Sequence, residues 1–179
     1  MCQKIRFATT DDGLNIYNLE KLSIKGASSY DMILKEIDEN TLANYLIIES
    51  ILEQSEDTTS QSTGIIAGET TAKKTIETMN KKNTSFTGYL GYWQLADEYH
   101  ITNIAIYPTY QGRGYAKALI IELINIAKKN NIIAISLEVR RSNINAIKLY
   151  ENTGFIHLGV RPKYYTDGED ALIMTFNLI

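Results

Sequence analysis

The 179-residue chain contains a single cysteine, Cys2, so it can form neither an intrachain disulfide nor a cysteine-based metal cluster. It also lacks an excess of positive charge, because 18 Lys and Arg stand against 21 Asp and Glu, for a formal net charge of −3. No overall electrostatic field would draw such a chain to nucleic acid or to an anionic membrane. We therefore expect neither of these as a partner.

Long apolar runs are absent as well. No stretch approaches the roughly 18 residues that a membrane span requires. Behind the positive charges of Lys4 and Arg6 there is no apolar region of the kind that a secretory signal needs. We therefore expect a cytoplasmic protein. Its length and its composition, 44% hydrophobic and 22% charged, predict one globular domain over residues 1–179.

Hydrophobic periodicity predicts seven strands and four helices in mixed order. The strands are expected at 4–8, 43–49, 87–93, 100–107, 132–139, 155–160 and 171–178. The first helix is expected after the N-cap candidates at 9–12, and its apolar residues at helical spacing are Leu14, Ile16, Tyr17, Leu19 and Leu22. The second is expected over 29–37, with Met32, Ile33 and Ile37 facing inward. The third and fourth are expected over 115–129 and 143–152. This order predicts a mixed α/β sheet with a strand–loop–helix crossover at its centre.

A segment at about 54–85 interrupts this order. It is rich in Ser, Thr, Lys and Glu and short of large apolar side chains. We interpret it as an insertion with a helix over 70–81, and an ordinary solvated loop without function is the competing interpretation.

The most informative stretch is 110–120, YQGRGYAKALI, which joins a predicted strand to a predicted helix. Gly112 and Gly114 lack side chains, so the backbone N–H groups at the start of the helix are open to a pyrophosphate, and Arg113 adds a cation. A plain structural turn is the alternative. The spacing does not match the dinucleotide-binding GxGxxG, and the chain has no GxxxxGK(S/T), which disfavours a nucleoside triphosphatase.

The segment 111–116, QGRGYA, resembles the acyl-CoA-binding signature Q/R-x-x-G-x-G/A of the GNAT superfamily of N-acetyltransferases. Further matching motifs follow in order: NIAIYP at 103–108, LEVR at 137–140, SN at 142–143, NAIKLYENTGF at 145–155, YY at 164–165 and DALIM at 170–174. The set resembles the RimI branch, which acetylates the N-terminal alanine of ribosomal proteins, over 87–176 and more loosely over 5–49. The segment 54–85 departs from the pattern, since that family joins these two strands by a short turn.

This resemblance implies a mixed, mostly antiparallel central sheet with flanking helices, acetyl-CoA as the acyl donor and no metal. By the same resemblance, the backbone of Ile104, Ala105 and Ile106 pairs with the pantetheine arm. The amides of the loop and first helical turn hold the pyrophosphate: Gln111, Gly112, Arg113, Gly114, Tyr115 and Ala116. The resemblance also implies that Asn143 contacts the cofactor arm. An interpretation of Asn143 as a simple helix N-cap is equally good, and one side chain can serve in both roles.

Glu138 and Tyr150 are the predicted catalytic residues. Glu138 shares a strand face with Ser136 and Arg140, where a half-buried carboxylate can act through a water as a base on an ammonium group. A salt-bridged strand glutamate is the competing interpretation. Tyr150 lies on the inward face of its helix, where a tyrosine is more often part of the core. The resemblance implies instead a general acid that protonates the departing CoA thiolate.

The roles of His100, Tyr164 and Tyr165 are open, and Cys2 is a further candidate to weigh. His100 begins the central strand and is an alternative candidate for the base. The competing interpretation is a structural or solvent-facing histidine. Tyr164 and Tyr165 lie in the last hairpin, where members of the family contact a peptide N-terminus. The competing interpretation is that the two rings only pack against the protein. Cys2 has no evident activating partner, so we expect direct attack rather than an acyl-enzyme.

The predicted acceptor is a protein N-terminus, such as that of a ribosomal protein. An α-amino group, with a pKa of roughly 7.7–8.0, loses its proton near neutrality far more easily than a lysine at about 10.4. The alternatives are a small amine or a lysine side chain, which a reshaped acceptor groove at 54–85 would favour, and a non-catalytic acyl-CoA-binding module.

Overall fold

The computed structural model describes residues 3–23, 27–51 and 84–178. Its strands are β1 (Gln3–Phe7), β2 (Ala43–Ile51), β3 (Thr84–Leu95), β4 (Glu98–Ile106), β5 (Ala134–Arg140), β6 (Ile156–Arg161) and β7 (Ala171–Asn177). They form one seven-stranded sheet in the order β1-β2-β3-β4-β5-β7-β6. Only the β4–β5 pair is parallel within this sheet. The expected mixed, mostly antiparallel sheet is confirmed, with strand ends shifted by up to three residues.

Four helices flank the sheet in the described ranges: α1 (Gly13–Ser23), α2 (Tyr30–Asp38), α3 (Tyr115–Lys129) and α4 (Ile144–Glu151). One core cluster packs α3 and α4 against one face, through residues such as Leu119 and Ile147. A second cluster packs α1 and α2 over β2, β3 and β4, through Ile16, Leu19 and Ile33. No helix in the described part has the length and apolar content that crossing a bilayer requires.

One predicted inward position is wrong, because Met32 is exposed. Leu14 and Leu22, which follow the helical spacing of α1, are exposed as well. Leu14 lies two residues from buried Ile16, so its side chain points to the other side of α1. In α2 the one buried residue is Ile33, and apolar spacing alone does not reveal how few residues of a helix its sheet covers.

The predicted insertion lies almost wholly outside the described residues, and so does its predicted helix at 70–81. Residues 84 and 85 already belong to β3, so the insertion ends earlier than predicted. Ile51 and Thr84 are direct partners in the β2–β3 ladder. The segment 52–83 therefore leaves and rejoins the sheet at neighbouring points.

The parallel strands β4 and β5 separate part-way along their length. They pair from Glu98 and Ala134 to Ile101 and Leu137, but both strands continue beyond that point. Next to the separation β4 carries a bulge at Thr102, since its neighbours Ile101 and Asn103 face consecutive residues of β3. A bulge bends its strand and increases the local twist. The edge of β4 over residues 102–106 is therefore not used by a ladder with β5.

An ion-pair cluster ties β1 to β2 and to the turn before α1. Arg6 donates to Asp12 at 2.7 and 2.8 Å and to Glu49 at 2.8 and 3.0 Å. Burial alone would raise the pKa of Asp12, but hydrogen bonds from Arg6 and Thr9 outweigh it and lower that pKa.

We expect Asp12→Asn to lower the free energy of unfolding at pH 7 by about 1.5–3 kcal/mol, the contribution of hydrogen bonds to charged groups. Because the pKa of Asp12 is lower in the folded chain, its contribution is present above the ordinary value of 3.8 and is lost as the pH falls through the folded value. Urea unfolding should therefore show a gap between variant and wild type that shrinks below pH 4. Asp11→Asn, at the exposed neighbour, is the control. An equal gap at pH 7 and pH 3 would contradict the expectation.

Candidate active site

A cavity of about 580 Å³ opens where β4 and β5 separate. Its walls are residues 101–104 of β4, residues 137–140 of β5, the start of α4, and parts of the loop between β6 and β7. It brings together predicted site residues from distant parts of the sequence: Ile104, Glu138, Asn143, Tyr150 and Tyr165. A second cavity of about 340 Å³ lies along α2 and is lined by none of the predicted residues, so we place the site in the first.

The glycine loop lies beyond the end of β4 and does not line this cavity. Gly112 and Gly114 have φ values of +73° and +84°, a conformation that other residues rarely adopt. Among the described residues, no heavy atom beyond the glycine and its chain neighbours lies within 4 Å of where a Cβ would stand on either glycine, so the loop surface there is open. The Gln111 side chain donates to the carbonyl of Ile106 at 3.0 Å and holds the loop against the end of β4.

The helix that begins at this loop supplies amides rather than side chains. Gly114 is the N-cap of α3, and the first amides of an α-helix have no partner within the helix. The Tyr115 side chain is buried in the core, and Ala116 is partly buried beside it. Arg113 is exposed, with its guanidinium 5.7 Å from the ring centroid of Tyr110. An anion held here would therefore meet backbone N–H groups and one guanidinium.

Glu138 occupies the face of β5 opposite to the core, as its alternation with Leu137 and Val139 predicts. Its side chain is only 8% exposed and has two basic partners. One carboxylate oxygen lies 2.9 Å from Nε2 of His100, and the other lies 3.2 Å from Nε of Arg161. The ion-paired interpretation is confirmed, and the same carboxylate also lines the cavity.

His100 is the third residue of β4, next to Ser136 in the β4–β5 ladder. Its Nδ1 lies 3.0 Å from the hydroxyl of Ser136, while Nε2 contacts Glu138. A serine hydroxyl can donate or accept, so it satisfies Nδ1 in either tautomer of the ring. His100 does not itself line the cavity and reaches it through Glu138.

Tyr150 lies on the buried face of α4 and lines the cavity. Its ring packs on Phe155 with 5.6 Å between centroids, and its hydroxyl forms no hydrogen bond within the described ranges. Burial raises the pKa of this phenol, and neighbouring Tyr165 raises it further. The hydroxyl is therefore protonated at neutral pH and can donate a hydrogen bond into the cavity.

Asn143 caps α4, since its side chain accepts from the amide of Ala146 at 3.2 Å. The N-cap interpretation is confirmed, and Asn143 also lines the cavity. Between Asn143 and β5, the amide of Ser142 donates to Glu169 at 2.8 Å. This contact fixes the loop between β6 and β7 beside the start of α4.

The loop between β6 and β7 is anchored by Arg140, whose role the sequence did not reveal. Its guanidinium donates to Glu169 at 2.7 Å and to Asp167 at 3.0 Å, and lies 3.8 Å from the ring centroid of Tyr165. Tyr165 is thereby held at the cavity. Tyr164 is exposed, packs edge-on against Tyr165 at 5.1 Å, and does not line the cavity.

Sequence comparison identifies the family. Residues 48–155 match the Acetyltransferase (GNAT) family. A Bacillus subtilis protein, named provisionally as a ribosomal protein bS18-alanine N-acetyltransferase, is 32% identical over 95% of this chain and 92% of its own length. The Escherichia coli ribosomal protein bS18-alanine N-acetyltransferase is 47% identical over 44% of this chain and 55% of its own length. This chain therefore belongs to the GNAT acetyltransferase family and is an acetyl-transferring enzyme.

Structural comparison agrees. The crystal structure of the Escherichia coli ribosomal-protein-S18-alanine N-acetyltransferase has a TM-score of 0.72 at 27% identity, covering 99% of this chain and 94% of that one. Ard1 from Thermoplasma volcanium has a TM-score of 0.74 at 18% identity, covering 100% and 99% of the two chains, and shares the fold. The GNAT fold and the RimI-like assignment predicted from the motifs are confirmed.

Proposed function

We propose that this enzyme transfers the acetyl group of acetyl-CoA to the N-terminal α-amine of a protein, with the N-terminal alanine of a ribosomal protein as the acceptor. The observation that carries the proposal is the cavity at the split between β4 and β5, which both the carboxylate residue Glu138 and the protonated phenol Tyr150 line. The relatives named for bS18 support this choice of acceptor. Such an enzyme would work in the cytoplasm, where ribosomal proteins are made.

The donor side of the proposal uses backbone groups. Along Ile104, Ala105 and Ile106, β4 forms no ladder with β5, and this edge suits the amide groups of a pantetheine arm. Asn143 lines the same cavity as Ile104. The loop at 111–116 and the start of α3 offer N–H groups and Arg113 to a pyrophosphate. Acetyl-CoA supplies the activated acetyl group, and these residues bind and orient it.

On the acceptor side, Glu138 takes a proton from the ammonium group, directly or through a water. An α-amine with a pKa of roughly 7.7–8.0 needs only a modest base near neutral pH. The neutral nitrogen then attacks the thioester carbonyl, and the carbon–sulfur bond breaks as the new C–N bond is completed. Tyr150 donates its proton to the departing sulfur, and the second proton of the attacking amine, lost as the amide forms, restores the phenol.

The loop between β6 and β7 frames the acceptor in this proposal. Arg140 holds Tyr165 at the cavity, and Tyr164 lies exposed beside it, where an extended peptide can contact both rings. We also propose that residues 1–179 form one domain, with an insertion between β2 and β3. The adjacency of Ile51 and Thr84 supports this, because an insertion between paired strand ends leaves the sheet intact.

The test is a steady-state assay of CoA release with two matched hexapeptides. One begins with a free alanine, and its twin is blocked at the N-terminus and carries a lysine. We expect turnover with the free terminus alone. Turnover with the blocked lysine peptide alone would make the enzyme a side-chain acetyltransferase. If neither peptide supports turnover, the proposal is contradicted, and small amines or a non-catalytic role become the alternatives to test.

A further inference from the structure

The two basic partners of Glu138 differ in how firmly they are held. His100 is fixed from its other side by Ser136, and its side chain is 24% exposed. Arg161 extends from β6, and its side chain is 56% exposed. Its Nε–carboxylate distance of 3.2 Å is also longer than the 2.9 Å to His100. Of the two carboxylate oxygens, the one facing Arg161 is therefore the more readily exchanged.

An acceptor ammonium and the Arg161 guanidinium present the same chemistry to this oxygen. Both are monocations whose N–H groups donate to carboxylates. An ion pair with an exposed partner contributes little free energy to stability, so replacing the guanidinium of Arg161 at this oxygen requires little free energy. An oxygen of a largely buried carboxylate is costly to leave without a donor, and His100 occupies only the other oxygen of Glu138, so an ammonium can take the place of the guanidinium.

We propose that Arg161 is a resident cation that competes with the acceptor amine for Glu138 and thereby sets the affinity for the acceptor. This inference rests on the proposed function, since it concerns the amine that Glu138 deprotonates. Binding exchanges one donor for another at the same oxygen: the guanidinium leaves and the ammonium takes its place. No proton moves to Arg161, because a guanidinium has no acceptor site.

The structure provides a place for the displaced guanidinium. The Arg161 guanidinium carbon already lies 5.7 Å from the ring centroid of Tyr164, within the range of a cation–π contact. Tyr164 belongs to the loop that holds Tyr165 at the cavity. Arg161 can therefore leave Glu138 while keeping a partner at the acceptor side of the site.

The test is calorimetric titration of the full chain, saturated with CoA, with the alanine-starting hexapeptide and a desamino twin that lacks the ammonium. We expect Arg161→Gln to tighten the dissociation constant of the alanine peptide about two- to fivefold, the scale of an exposed ion pair. The desamino peptide should bind the variant and the wild type equally, because it does not compete for Glu138. Arg161→Lys, which retains a cation, should stay close to wild type.

Lys163→Gln is the matched control, because Lys163 is an exposed cation two residues beyond Arg161 and is not an ion-pair partner of Glu138. It should leave both dissociation constants unchanged. The proposal is overturned if Arg161→Gln weakens or does not change binding of the alanine peptide, or tightens both peptides equally. Arg161→Met provides the same comparison if the glutamine variant does not fold. These measurements are of binding and do not depend on turnover. A wild-type enzyme without turnover would contradict the proposed function, whereas the role of Arg161 is decided by the dissociation constants alone.

Discussion

Replacing Tyr150 with phenylalanine should lower kcat for acetyl transfer by roughly 10²- to 10⁴-fold, the range that a positioned general acid contributes. The departing thiolate would lose its proton donor. The melting temperature should not fall, because the hydroxyl bonds to no residue in the described ranges and the ring retains its contact with Phe155. Steady-state kinetics and thermal unfolding of the same preparation separate these two effects.

Tyr92→Phe is the matched control for this variant. Tyr92 is a buried tyrosine of the same core cluster, its pKa is also raised by burial, and it does not line the cavity. It should retain wild-type kcat, so a loss confined to Tyr150→Phe would assign the effect to the chemistry. A Tyr150→Phe variant within tenfold of wild-type kcat would show that the phenol is a core residue, as its burial alone suggests.

Local periodicity was sufficient to predict most of the sheet. The alternation of Leu137 and Val139 with Glu138 along β5 placed the carboxylate on the correct face, because neighbouring side chains of a strand point to opposite sides. The N-cap at Asn143 was also readable, since capping depends on residues within one turn. These features need no information about the rest of the chain.

The contacts that shape the site were not readable in this way. Arg161 reaches Glu138 from a strand that is not its neighbour in the sheet, and no local pattern marks such a pair. The bulge at Thr102 depends on the register of two strands. The cation–π contact of Arg140 with Tyr165 depends on where a loop folds back. All three are set by tertiary packing, and so the sequence predicted the chemical groups but missed the residues that position them.

Glu138→Gln should lower kcat/KM for the alanine peptide by roughly 10²-fold or more at pH 7, because an amide cannot accept the amine proton. The deficit should shrink as the pH rises past about 8, where the α-amine has largely lost its ammonium proton in solution and needs no base to remove it. The fold should tolerate the change, since His100 can adopt the tautomer that its new neighbour requires while Ser136 still satisfies its other nitrogen. A pH series of kcat/KM for both enzymes gives the measurement.

Glu49→Gln is the control, because Glu49 is also a buried strand carboxylate paired with an arginine, far along the sheet on β2. It should reduce stability and leave kcat/KM unchanged. A Glu138→Gln deficit that stays constant up to pH 9 would mean that the carboxylate binds the acceptor without deprotonating it. If Glu138→Gln remained fully active while His100→Gln did not, the base would be His100, and Glu138 would serve to hold that imidazole at the end of the β4–β5 ladder.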